Sequence, residues 1–252
     1  MSLQIIASNE PRNPVFPKDS PYLQVSEFFC DTIQGEGVYT GHPAAFLRLQ
    51  GCTLECSFCD SIKVWKKGNP YTYNELYEKM EAVDLIRKFK EGQHLVITGG
   101  SPLLQQYRVE EFIRGFIERY GFKPFIELEN EAVLDPIVGL IYYVDCWNNS
   151  PKLESSGNKR NGFNPTIIHN MSNLPNNWFK FVVGSIEDWY EIERGFLKTD
   201  LILRNQIILM PLGGNYSELI KNRQLVVDIS IKNNVRYSTR EHVILWNLQT
   251  GV

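Results

Sequence analysis

Hydrophobic positions along the chain switch between two periods. From Tyr73 to Glu91, Leu76, Met80, Val83, Ile86 and Phe89 recur every three or four residues, which predicts a helix stopped at Gly92. A second helix is predicted over Val109 to Tyr120, with Phe112, Ile113, Phe116 and Ile117 inward and Gly121 as its end; others are predicted over Ile186 to Leu197 and Tyr216 to Asn234. Short apolar runs predict strands at Ala44 to Leu49, taken as the first of the core, and at His94 to Thr98, Pro124 to Leu128, Leu140 to Val144, Phe179 to Val183, Gln206 to Met210 and His242 to Trp246. Residues Ser8 to Pro21 carry four prolines and no period, so an irregular arm is expected over about residues 1–24. Strands alternating with helices imply an α/β chain with a parallel sheet, built as an open or closed barrel of βα units. No repeat or linker interrupts the pattern, and one domain of 252 residues is expected.

Composition narrows the partners. A formal charge of -3 leaves no broad basic surface for a nucleic acid, so a small-molecule substrate is expected and direct nucleic-acid binding is not. The chain has no apolar run of about 18 residues and its first residues lack the basic-then-apolar order of a signal peptide. A cytoplasmic protein without membrane contact is expected.

Three of the five cysteines, Cys52, Cys56 and Cys59, fall within eight residues. That crowding suits metal binding better than a disulfide framework. Thiolates serve iron–sulfur clusters and zinc alike, but structural zinc takes four ligands and would have to borrow Cys30, Cys146 or His42. A cluster held by three cysteines leaves one iron open for a ligand.

The segment G-C-T-L-E-C-S-F-C-D resembles the signature of radical S-adenosylmethionine enzymes. The resemblance implies a partial (β/α) barrel, a 4Fe-4S cluster on Cys52, Cys56 and Cys59, Phe58 stacking near the adenine, and S-adenosylmethionine chelated to the open iron. Reductive cleavage, with flavodoxin or ferredoxin as electron donor, would then supply a 5'-deoxyadenosyl radical. Upstream, T-I-Q-G-E-G-V-Y-T-G-H-P-A-A-F-L-R-L-Q-G-C resembles the family of 7-carboxy-7-deazaguanine synthases. These contract a pterin ring on the route to 7-deazapurines such as queuosine, and homodimers occur among them.

On that resemblance Ile33, Gln34, Gly35, Glu36 and Arg48 face the pterin substrate, with Gln34 and Glu36 offering an amide and a carboxylate and Arg48 a fork for the substrate carboxylate. Asp60 lies at the cofactor, and Ser61 is the magnesium ligand, a neutral oxygen acceptable to a hard cation. The segment I-T-G-G-S-P places Thr98 at the substrate and Gly100 and Ser101 at the cofactor. Ser101 stands where the family pattern has Glu, and restoring Glu there is expected to retain or tighten cofactor binding. The resemblance further assigns Glu129 to the substrate, Ser150, Pro151 and Lys152 to the cofactor, and Met210, Pro211, Leu212 and Gly213 to the adenosine. His242 and the Val252 carboxylate are placed beside the substrate. Glu36, Arg48, Glu129 and His242 are the catalytic candidates. Two other readings stand beside this one: a glycyl-radical activase, and a zinc-binding module without enzymatic activity.

Overall fold

The structure, a computed structural model, describes residues 3–9, 16–158, 162–249 and 251. Its framework is one ten-stranded sheet in the order β1-β2-β3-β5-β6-β7-β8-β9-β10, with β4 paired to β2. The strands are β1 (Gln4–Ile6), β2 (Tyr22–Ile33), β3 (Pro43–Leu49), β4 (Asn69–Thr72), β5 (His94–Gly99), β6 (Phe125–Asn130), β7 (Cys146–Asn149), β8 (Asn177–Val183), β9 (Ile207–Pro211) and β10 (Arg236–Tyr237). From β3 to β10 every neighbouring pair is parallel, while β1, β2 and β4 form an antiparallel edge. The parallel sheet does not close, so the architecture is the expected partial (β/α) barrel.

Helices α1 (Ile62–Trp65), α2 (Tyr73–Ala82), α3 (Leu85–Lys90), α4 (Gln106–Tyr120), α5 (Val138–Tyr143), α6 (Pro165–Ser172), α7 (Ile186–Ile192), α8 (Tyr216–Asn233) and α9 (Glu241–Trp246) connect the strands. Helix α7 runs on into a π turn over Glu193–Leu197. One buried cluster joins sheet and helices, with Leu47, Leu95, Ile97, Ile126 and Leu128 from the strands against Leu76, Phe112 and Phe116 from the helices. Capping follows side-chain chemistry. Thr72 opens α2 by accepting from Glu75 N while Glu75 Oε2 accepts from Thr72 N at 2.8 Å, and Gly121 closes α4 with φ of 74°.

Five expectations are corrected. The helix predicted from Tyr73 to Glu91 is two, because Asp84 adopts a left-handed φ of 59° and turns the chain between α2 and α3. Leu140 to Val144 belongs to helix α5, and the strand is the following Cys146–Asn149. Its Asn148 and Asn149 are buried polar residues, Asn148 donating to Glu127 and Asn149 accepting from Asn130, so the segment carries no apolar signature. His242 to Trp246 is helix α9: Val243 is buried and Leu245 is half exposed, the one-sided burial of a helix. Ala44–Leu49 is preceded by β2, whose register shifts at Val25/Glu27 and Phe29/Thr32 break the alternation that would have betrayed a twelve-residue strand. The arm is correspondingly shorter, since Gln4–Ile6 pair with β2 and β2 starts at Tyr22.

Candidate active site

Parallel strands deliver their following loops to one end of the sheet, and the large cavity lies there. It measures about 370 Å³ and is lined by residues that follow or end β2, β3, β5, β6, β7, β8 and β9 together with the start of α9.

Strand β3 ends at Leu49 and leads directly into the loop bearing Cys52, Cys56 and Cys59. All three line the cavity and none is in a disulfide. The loop is held by Trp65, whose Nε1 donates to Cys59 Sγ at 3.4 Å, and by Leu54 N, which donates to Cys52 Sγ at 3.4 Å. Burial, reinforced by Glu131, pushes the Cys52 thiol up to about 12, and burial also raises Cys56. These thiols therefore need a metal's charge to become thiolates at neutral pH. Among the described residues no three His, Cys, Asp or Glu side chains close on a single ion-sized point. A four-iron cluster puts each thiolate on a different iron, so its ligands need only share a cavity, and these three do. The zinc alternative loses its fourth ligand: Cys30 and Cys146 are buried outside the cavity, and His42 stacks on His94 at 3.7 Å.

Gly100, after β5, comes so close to this loop that a Cβ there would stand 2.4 Å from Cys52 Cβ and from Gly51 O. Gly100→Ala must push the two loops apart, at the cost of about 1–3 kcal/mol typical of overpacking. Iron incorporation after anaerobic reconstitution is expected to fall; an iron content equal to wild type would show that the close approach does not matter.

A second group of charges lines the same cavity. Glu36 accepts from Lys180 Nζ and from Arg240 Nε at 2.9 Å, and Arg240 also pairs with Asp60 and donates to Gly213 O at 2.7 Å. Burial by itself would raise the Glu36 carboxyl, but Lys180, Arg240 and His242 hold it well below the usual carboxylate range. Burial likewise opposes ionisation of Lys180, yet Glu36 and Glu129 keep it firmly protonated. His242 shifts the other way: burial depresses its imidazole, leaving a neutral ring packed on Gly35, where a Cβ would meet Nδ1 at 2.0 Å.

Gln34 is almost fully buried, and its amide donates to Glu127 Oε2 at 3.2 Å and to Glu129 Oε1 at 3.3 Å while its carbonyl accepts from Glu36 N. Its amide thus anchors the turn and orients two carboxylates, in addition to any direct pairing with a ligand. Glu129 accepts from Thr98 Oγ1 at 3.0 Å and lies 3.7 Å from Lys180 Nζ. Arg48 donates from Nε to Glu27 Oε2 at 2.8 Å, which leaves its terminal nitrogens for a ligand. Asp60 is ion-paired to Arg240, a partner the sequence did not announce.

The remaining expected residues sort by position. Ile33, Phe58, Ser61, Thr98, Ser150, Lys152, Met210, Pro211, Leu212 and Gly213 line the cavity. Lys152 Nζ donates to Ser150 Oγ at 2.7 Å. Pro151 is buried just behind that wall, and Ser101, wholly buried, donates to Glu131. A Glu side chain at position 101 would confront the Glu131 carboxylate in a dry site, an argument against the expected gain in cofactor binding from Ser101→Glu. Val252 lies outside the described residues.

Lys180, Arg240, Glu127, Asn148 and Glu131 were not singled out from the sequence. A signal existed for two of them: Lys180 sits within W-F-K-F-V-V and Glu127 within F-I-E-L, charges in apolar strands that burial would forbid without partners.

An open barrel of parallel strands with a three-cysteine loop after its first parallel strand and a glycine turn packed against that loop defines an iron–sulfur protein of the radical S-adenosylmethionine class. A family described as a 4Fe-4S single cluster domain matches residues 33–129. The 7-carboxy-7-deazaguanine synthase of Pyrobaculum aerophilum is 31% identical over 92% of this chain and 98% of its own length, and that of Rickettsia prowazekii is 35% identical over 94% of each. The crystal structure of QueE from Escherichia coli shares the fold, with a TM-score of 0.63 at 21% identity over 89% of this chain and 96% of that one. The chain belongs to the 7-carboxy-7-deazaguanine synthase family.

Proposed function

We propose that the chain is a radical S-adenosylmethionine lyase that converts 6-carboxy-5,6,7,8-tetrahydropterin to 7-carboxy-7-deazaguanine with loss of ammonia, in 7-deazapurine biosynthesis of the queuosine type. One observation carries the reading: in a member of this family, the three-cysteine loop and a cluster of buried charges that includes Glu36, Glu129, Lys180 and Arg240 line a single cavity.

Cys52, Cys56 and Cys59 would hold a 4Fe-4S cluster, which with S-adenosylmethionine supplies the 5'-deoxyadenosyl radical that abstracts a substrate hydrogen. Everything else is the work of the chain's own side chains. The free nitrogens of Arg48 attract the substrate carboxylate, and Glu27 keeps the guanidinium charged despite burial. Glu129, oriented by Thr98 and Gln34, presents a carboxylate to the ring's N–H donors. His242, kept neutral by burial, presents an imidazole that can accept a proton. Lys180 and Arg240 hold Glu36 in place through paired charges. Ser61 makes no capping bond at the start of α1, and its hydroxyl, 3.7 Å from Cys59 Sγ, would serve magnesium together with substrate oxygens. A reduced flavodoxin or ferredoxin fits as electron donor.

The test is anaerobic incubation of the reconstituted protein with S-adenosylmethionine, reductant, magnesium and carboxytetrahydropterin, read by mass spectrometry. Deazaguanine product and 5'-deoxyadenosine are expected together. 5'-Deoxyadenosine alone would overturn the substrate; neither product from a protein with its full iron complement would overturn the reading.

A further inference from the structure

Glu131 follows β6 and is 4% exposed, yet the fold treats its two oxygens unequally. Oε1 accepts from Thr53 Oγ1 at 2.7 Å and from Ser101 Oγ. Oε2, equally buried, has no hydrogen-bond partner among the described residues. A carboxylate oxygen in that state is costly unless a donor reaches it, and a cationic donor suits it best.

None of the neighbouring cations among the described residues donates to Oε2. Lys152 Nζ donates to Ser150, Lys180 and Arg240 are paired with Glu36, and Arg48 with Glu27. Among the described residues no cation reaches this oxygen, which leaves room for one that comes with a ligand. Glu131 and Lys152 both line the cavity together with Cys52 and Cys56, so side chains of opposite charge stand beside the cysteine loop. That arrangement complements the zwitterion of an α-amino acid laid across the loop, its ammonium toward Glu131 and its carboxylate toward Lys152.

We propose that Glu131 Oε2 accepts the α-ammonium group of the methionine moiety of S-adenosylmethionine, with Ser101 and Thr53 as positioning residues that fix the carboxylate through Oε1. The proposal rests on the radical S-adenosylmethionine reading above. It makes Ser101 half of a two-residue device: its hydroxyl holds a carboxylate that reaches the cavity from the next strand of the sheet.

The experiment is equilibrium dialysis on the anaerobically reconstituted protein, comparing S-adenosylmethionine with its deamino analogue, which lacks only the amino group. In Glu131→Gln, S-adenosylmethionine is expected to bind about 10- to 100-fold more weakly, the range of one charge-assisted hydrogen bond, at unchanged iron content. The deamino analogue is expected to bind both forms alike. Ser101→Glu alone crowds two carboxylates and weakens binding of S-adenosylmethionine, whereas Ser101→Glu combined with Glu131→Gln restores a single carboxylate and its preference for the amino group. Equal losses for both ligands in Glu131→Gln, no loss for either, or a double variant without that preference would overturn the assignment. Wild-type protein with a full cluster that binds no S-adenosylmethionine would instead overturn the function on which it rests.

Discussion

Replacing Glu36 with Gln lowers the stability of the protein toward the lower end of the roughly 3–5 kcal/mol that breaking a buried ion pair costs. The variant leaves Lys180 and Arg240 with less negative charge in a site where their side chains are 6% and 12% exposed. The loss stays at the low end because Arg240 keeps Asp60 and Lys180 keeps Glu129 at 3.7 Å. Urea denaturation of the apo protein measures it. Lys180→Met in the Glu36→Gln background should cost less than the sum of the two single changes, because the first change has already removed the partner. Strict additivity would show that the pair is not energetically coupled.

The same network sets a pH dependence. Glu36 titrates lower in the folded state than in the unfolded one, so the stability it contributes is fully present above the unfolded value of about 4.3 and is lost as pH falls through the folded value. His242 is also depressed on folding, and its contribution is present above about 6.5 and is lost as pH falls below that. Both slopes have the same sign, and stability of the wild type should decline steadily from neutral pH into acid. Glu36→Gln should flatten only the portion below about 4.3; an unchanged acid limb would assign the slope to other groups.

Cys56→Ala is expected to abolish product formation and the visible iron–sulfur absorbance together. Three ligands are the minimum that anchors such a cluster while leaving an iron open, and no other cysteine lines the cavity among the described residues. The apo variant should melt close to the apo wild type, since Cys56 is only partly buried and removal of one sulfur there leaves no large core void. A brown, iron-loaded Cys56→Ala protein would require a different ligand set.

The sequence alone determined the parts whose information is local. Three thiols within eight residues, glycine turns at Gly35 and Gly100, and apolar runs alternating with helical stripes are properties of neighbouring residues, and from them the class of fold and the cluster loop could be read. Periodicity failed where a strand carries buried polar side chains, as at Asn148 and Asn149, or where bulges shift the alternation, as in β2. It failed also for Leu140–Val144 and the run after His242, because four or five apolar residues serve a helix face as readily as a strand. Pairings between distant segments were beyond its reach. Glu36 meets Lys180 and Arg240 across 144 and 204 residues, and Ser101 meets Glu131 across 30. Such partners are chosen by which strands stand side by side in the sheet, and burial then turns an ordinary charge into one that must find its counterpart there. Folding thus made Gln34 an anchor as well as a ligand candidate, tied Asp60 to Arg240, and set the Glu131 carboxylate against the hydroxyl of Ser101.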